Sequence, residues 1–281
     1  MKQTYKKPFN KKFFLIASIL ILVLGFIAYA NSLNGQFVYD DDVFIKDNSL
    51  TKNISSIPIS FTKNFGEGED VGRLTIAYRP LQQISNTLNY AICKLDVRGY
   101  HLTNIILHIA VALCIYWLVY VLFSNDILSL ITATLFVVHP IQTEAISYIS
   151  GRGDPLALFF MLLCMIIYIK LLHQNRFNII GFFFLLLSYL CALFSKEHSI
   201  LLPALLLLYH FVFGKKIKAI EFLSLLSLAL IYLVLRATHL NHIAPSLSTD
   251  TVFDRIPGVF VALFTYAKLF FLPFSLHMEY G

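Results

Sequence analysis

Charge is scarce in this sequence. Asp, Glu, Lys and Arg make up only 14% of the chain, against 58% hydrophobic residues and a mean hydropathy of +0.72. A soluble domain carries roughly a quarter charged residues, so a water-soluble globular class is excluded as the default. Cysteine is scarce too, which removes a disulfide framework and a paired CxxC zinc site. Cys114, Cys164 and Cys191 sit inside apolar runs, where a thiol is ordinarily a small packing residue. The sequence has no HExxH and no GxxxxGK[ST], so neither a zincin helix nor a P-loop is present. A net charge of +6 comes without a basic stripe interleaved with aromatics, and nothing points to nucleic acid. Internal repeats and low-complexity tracts are absent as well.

What is there instead is apolar length. Runs near 13–31, 101–123, 127–141, 155–172, 178–194, 199–213, 219–236 and 258–276 approach the 17 to 25 residues, or about 20, that a spanning helix needs. The sequence therefore predicts an all-α integral membrane protein of about eight spans. Ala28-Tyr29-Ala30 resembles a signal-peptidase site, but the apolar core before it is too long for a cleaved leader and reads as a retained anchor. Lys268 makes the last run the least regular, because a lysine among apolar neighbours must snorkel or find a partner.

Orientation follows from the basic residues, which accumulate in short cytoplasmic segments. Lys2, Lys6, Lys7, Lys11, Lys12, Lys170, Arg176, Lys215, Lys216 and Lys218 all fall on one side if the spans alternate. Residues 1–12 then form a basic cytoplasmic N-terminus, and 13–281 a membrane-embedded domain. The segments 32–99, 142–154, 195–198 and 237–257 face outward. Within the first of these, Leu81, Ile84, Leu88, Ile92 and Leu95 recur at helical spacing, which predicts an amphipathic helix over 79–95 lying in the outer headgroup region. Asn53-Ile54-Ser55 in the same loop matches an N-glycosylation sequon, a triplet common by chance.

The polar residues gather at the outward ends of the helices. Asp40, Asp41 and Asp42 follow the first span, His101 and Asn104 open the second, and "HPIQTEAISYISGRGDP" joins the third and fourth. "SKEH" at 195–198 completes the set. A transporter would place ionisable groups near the midplane, whereas this pattern suits chemistry at the interface on a substrate with a lipid tail. A carboxylate near a hydroxyl can act as general base. Arg152 and Lys196 can hold a phosphate, by a bidentate fork and a point charge respectively. Each feature has a plain reading beside this one. The aspartates fit a solvated loop or an N-cap, Arg152 a glycine-flanked turn, His139-Pro140 a helix end, and Lys196-Glu197 an ion pair in a tight hairpin.

Taken together, "FVYDD", "YRPL", "LNY", "GYHLTNIILHI", "LFVVHPIQTEAISYISGRGDPLA" and "SKE", in this order and spacing, resemble the transmembrane and tetratricopeptide-repeat O-mannosyltransferases. The resemblance covers most of the chain. It implies a GT-C-like multi-spanning helical bundle that transfers a sugar, mannose in that family, from a polyprenyl- or dolichyl-phosphate donor to a protein or glycan hydroxyl. It places the protein in the cell inner membrane or the endoplasmic reticulum. On this reading Asp40 and Asp41 are catalytic, one of them as the base. Arg152, Lys196, His139 and Arg79 bind the donor phosphate, and Asp42, His101, Asn104, Glu144, Asp154 and Glu197 support the site. No cofactor is expected; Asp40-x-Asp42 has the form of a divalent-cation pair, which relatives of this branch do not require. Tyr39 and Gln142 stand where animal members carry histidine, and no tetratricopeptide repeats occur in these 281 residues. The competing reading is a membrane protein that binds or flips a lipid-linked sugar without transferring it.

Overall fold

A computed structural model describes residues 10–66, 77–174, 176–239, 252–274 and 276. Most of the basic N-terminal tail, part of the glycine-containing stretch after Phe65 and most of 237–257 lie outside the described residues. The described chain is helical, with no strand. α1 spans Lys11–Tyr29, α2 Pro80–Cys93, α3 Val97–Phe123, α4 Asp126–Val138 and α5 Thr143–Ser147. α6 spans Gly153–Leu172, α7 Ile179–Ser195, α8 Leu202–Phe213, α9 Ala219–His239 and α10 Val252–Phe271. Side chains close the N-termini where the sequence offers them: Asn10, Asn125 and Asn178 each accept a backbone N–H of the following turn.

Each of the eight apolar runs forms a helix, but length separates them. Among the described residues four segments are long and apolar enough to cross a membrane: Lys11–Asn34, Val97–Phe123, Ile149–Leu172 and Ala219–Thr238. A fifth counts if Asp126–Val138 and Pro140–Ser147, bent by 52°, are one broken span. The bend has a local cause, because Pro140 drives His139 into extended geometry, with ψ of 125°. α7 and α8 are apolar but shorter, and the 12 residues of α8 rise only about 18 Å against a hydrocarbon core of about 30 Å. By length, then, the described helices do not reach the expected count of eight. A turn of 3₁₀ helix at Glu197–Leu201 uses chain that the sequence pattern gave to a span.

Two apolar cores hold the helices together. One joins α1, α3 and α4 through Ala17, Ile21, Ile105, Ala112, Tyr116 and Val137. The other joins α6, α7, α8 and α9 through Cys164, Tyr168, Leu185, Tyr189, Leu206 and Tyr232. The opposite faces stay exposed and apolar, with Ile16 at 66%, Phe211 at 86% and Phe264 at 74% exposure. Lipid, not water, is the solvent such faces require. Gly25 lets α1 approach closely: a Cβ there would stand 2.7 Å from Ile109 Cγ1 and 2.9 Å from Val137 Cγ2. Gly25→Val is therefore expected to destabilise the fold by about 1–3 kcal/mol, read as a lower unfolding midpoint in detergent; an unchanged midpoint would show that α1 shifts freely.

α2 is amphipathic in an inverted sense. Its polar residues Gln82, Gln83, Asn86 and Asn89 point into the protein, while Leu88 and Ile92 are exposed. Gln82 Nε2 donates to the Ser150 carbonyl at 2.7 Å, and Gln83 Nε2 to Thr51 Oγ1 at 2.7 Å. A helix is thus found where the spacing at 79–95 predicts one, with Leu88 and Ile92 on its exposed face. A third, smaller core of Phe44, Ile45, Phe65, Tyr100 and Ile149 packs the loop after α1 onto the starts of α3 and α6. That contact brings the acidic loop to the turns between α4 and α6.

Candidate active site

At this end of the helices lies a cavity of about 280 Å³ lined by Asp40, Arg79, Glu144, Tyr148, Asp154 and Lys196, with Ser150 and Gly151 in its wall. Its charged groups come from four separate stretches of chain, brought together because each is the end of a helix or the turn between two. Beside it runs a groove of about 310 Å³, largely apolar, lined by Val38, Pro140, Ile141, Tyr266, Leu269 and Leu276 among others. Cavity and groove share Ile141, Glu144 and Tyr148, so the polar space and the apolar one lie side by side along these residues.

The adjacent carboxylates do different things. Tyr39 adopts a left-handed φ of 51°, disfavoured for a bulky residue, and the two aspartates after it end in different surroundings. Asp40 is exposed, faces the cavity and accepts a hydrogen bond of 3.0 Å from the Tyr148 hydroxyl. Burial, reinforced by the Asp40 carboxylate, pushes the Tyr148 hydroxyl above its ordinary range, so it stays a proton donor in that bond. Asp41 is fully buried. Its Oδ1 accepts from the Ser150 N–H at 2.8 Å and the Ser150 hydroxyl at 2.6 Å, and its Oδ2 from the Val38 N–H at 3.2 Å. Burial raises the Asp41 carboxyl above its usual value, and the bonds from Ser150 and Val38 oppose that rise. Asp41 thus ties the first loop to the turn before α6, and only Asp40 has a free face toward the cavity.

The cations of the cavity are held by carboxylates. Arg79 forms a two-pronged pair with Glu197, at 2.9 Å from Nε and 2.7 Å from Nη2. Lys196 Nζ stands 2.6 Å from both oxygens of Asp154. Burial disfavours the charged form of Glu197, but the Arg79 hydrogen bonds and charge outweigh it and bring the carboxyl down to about 2. A depressed carboxyl contributes stability above its unfolded value, near 4.5, and loses that contribution as pH falls toward 2. The stability difference between wild type and Glu197→Gln is therefore expected to hold above about pH 4.5 and to vanish at lower pH. Thermal unfolding across that window checks it; a difference independent of pH would mean that Glu197 acts through packing alone.

Other expected site residues lie elsewhere. Arg152 is fully buried and does not line the cavity. Its guanidinium donates to Asn104 Oδ1 at 2.6 Å, to the Ser85 carbonyl and hydroxyl, to Asn89 Oδ1 and to the Tyr100 carbonyl at 3.1 Å, which leaves it facing protein and not a phosphate. Asn104 serves that network, and its Nδ2 donates to the Ile146 carbonyl. His101 is buried, and among the described residues neither ring nitrogen has a hydrogen-bond partner. His139 also turns away: Nδ1 accepts the Ile141 N–H, Nε2 is 3.0 Å from the Phe270 carbonyl, and its ring stacks on Phe270. The plain reading of His139-Pro140 as a helix end describes this geometry. Asp42 pairs with Lys46 at 3.3 Å on the surface, and among the described residues no three His, Cys, Asp or Glu side chains come together as a metal site. Tyr148 and Ser150, which engage the two aspartates, were not among the expected residues; their only signal was two hydroxyls inside a polar block between spans.

Four or five membrane-length helices among the described residues, with a charged cavity at one end beside an apolar groove, define the class: a helical membrane protein with a polar site at the helix ends. No family model matches the chain. Its sequence is similar to the protein O-mannosyl-transferase tmtc2 of Xenopus laevis, with 34% identity over 206 residues, 72% of this chain and 25% of that protein. It is similar in the same way to the Homo sapiens protein O-mannosyl-transferases TMTC1, 34% over 206 residues (69% of this chain, 23% of that one), and TMTC3, 35% over 154 residues (54% and 17%). Across this shared region, 54% to 72% of the chain, the relatives it resembles are named protein O-mannosyl-transferases. It spans about a quarter of the length of the first two of these relatives.

Proposed function

We propose that the protein is a glycosyltransferase that moves a sugar, mannose by analogy with its relatives' names, from a polyprenyl- or dolichyl-phosphate donor to a hydroxyl of a protein or glycan. The observation that carries this reading is the adjacency of the charged cavity and the apolar groove, which share Ile141, Glu144 and Tyr148. A lipid-phosphate sugar has that same division, an apolar tail joined to an anionic, hydroxyl-rich head. The tail lies along Ile141, Leu269 and Tyr266, the phosphate meets Lys196 and Arg79, and the sugar lies toward Asp40.

In the reaction the acceptor oxygen attacks the anomeric carbon from the face opposite the phosphate. The carbon–oxygen bond to phosphate breaks, its electron pair leaves with the lipid phosphate, and the acceptor proton passes to the Asp40 carboxylate. The product is inverted at that carbon. Asp40 is the better base of the pair because it faces the cavity, while Asp41 is committed to Ser150 and Val38. Lys196 and Arg79, pre-oriented by Asp154 and Glu197, offset the charge on the departing phosphate. All eight apolar helices cross or enter the bilayer on this reading, with the N-terminus cytoplasmic and the site on the outer or lumenal face.

A photoreactive polyprenyl-phosphate mannose tests the placement. Crosslinks at Ile141 and Leu269, competed away by unlabelled donor, are the expected result; crosslinks confined to other surfaces would remove the groove from the account.

A further inference from the structure

We infer that Arg152 is a positioning residue, which sets the wall of the cavity from beneath without contacting the donor. Its guanidinium is fully buried and, among the described residues, donates to no carboxylate. A buried charge that hydrogen-bonds to no carboxylate is costly unless neutral acceptors satisfy it, even with the Asp41 carboxylate near enough to attract it. Here five acceptors do so, on two different helices: Ser85 (twice) and Asn89 of α2, Tyr100 and Asn104 of α3. The guanidinium also lies 5.8 Å from the Tyr100 ring centroid. Only a planar group with several fixed donors can reach all of these at once, which a lysine ammonium cannot do.

The consequence lies in what Arg152 belongs to. It ends the 3₁₀ turn Ile149–Arg152, and the neighbouring Ser150 and Gly151 form part of the cavity wall. Asn104 extends the tie by donating to the Ile146 carbonyl at 3.0 Å, and Gln82 by donating to the Ser150 carbonyl at 2.7 Å. The segment 146–152 is therefore anchored to α2 and α3 on one side. On the other it carries Ser150, which grips Asp41, and Tyr148, which bonds Asp40. Releasing the anchor moves both partners of the acidic pair, whereas Lys196 and Arg79 stay tied to Asp154 and Glu197, outside the segment 146–152. The defect belongs in the chemical step and not in donor binding.

The kinetic part rests on the proposed transferase reading; the anchoring part does not, and the experiment separates them. Arg152→Lys keeps the charge and loses the fork, whereas Asn104→Ala keeps Arg152 and removes its Nε acceptor together with the tie to Ile146. Hydrogen exchange on the full chain in detergent is expected to rise at residues 146–151 in both variants, with no donor present. With polyprenyl-phosphate mannose, and rates normalised to folded protein, kcat is expected to fall at least tenfold (~1.4 kcal/mol) while donor KM stays within about a factor of two. The double variant is expected to be no slower than the slower single one, because both act through one network. A rise in donor KM with kcat retained would put the guanidinium on the donor and overturn the inference. So would unchanged exchange, or effects that simply add. If wild type transfers no sugar, the proposed function falls, and the exchange result alone decides the anchoring.

Discussion

Asp40→Asn is expected to reduce sugar transfer by about 100- to 10,000-fold, the usual contribution of a positioned general base, with the unfolding midpoint unchanged. The carboxamide keeps the size of the side chain and still accepts the Tyr148 hydroxyl, and Asp40 is exposed with no buried group depending on it. Asp41 gives the opposite profile. Asp41→Ala leaves the Ser150 N–H, the Ser150 hydroxyl and the Val38 N–H without their acceptor in a buried position. An orphaned buried donor costs about 1–3 kcal/mol, so this variant is expected to unfold at lower temperature. Parallel melting and transfer measurements on the two variants check the division of roles. A stable but inactive Asp41 variant beside an active Asp40→Asn would reverse it.

The second large effect concerns the cation. Lys196→Ala is expected to raise donor KM about 10- to 100-fold, because a charge-assisted hydrogen bond contributes about 1.5–3 kcal/mol. The maximal rate falls as well to the extent that Lys196 stabilises the leaving phosphate. Asp154, partly exposed, is left without its cation, and water takes up part of that loss. The variant should therefore remain folded. Steady-state kinetics against polyprenyl-phosphate mannose measures this, and an unchanged KM would place the phosphate elsewhere.

Much of the architecture was legible before any coordinates. Apolar length located every long helix, and spacing located α2, because both signals depend on single segments exchanging water for lipid or protein. The number of full spans was not legible: His139-Pro140 marks a helix end in the sequence, but a run of apolar residues does not reveal how far the next segment bends away or that 197–201 winds into a tighter turn. The candidate site divides in the same way. Asp40, Arg79, Glu144, Asp154 and Lys196 were named from the sequence and line one cavity. Arg152 was named as a phosphate ligand, but its burial is a property of four partners distant in sequence, and a glycine-flanked arginine at a helix end looks the same either way. Nor could adjacent aspartates be told apart by pattern, because their roles differ only in which way the turn after Tyr39 sends each side chain. The apolar groove depends on α10 folding back to His139, a contact 131 residues apart in the chain.

The most direct test of the account is transfer of labelled mannose from polyprenyl-phosphate mannose to serine- or threonine-containing peptide by the purified chain in lipid, with the anomeric configuration of the product read by NMR. The account predicts a product of inverted configuration, formed by wild type and lost in Asp40→Asn. Donor that binds in the groove yet yields no glycosylated product would contradict it, and would assign the cavity to binding or movement of lipid-linked sugar. A product of retained configuration would contradict the direct displacement at the centre of the mechanism.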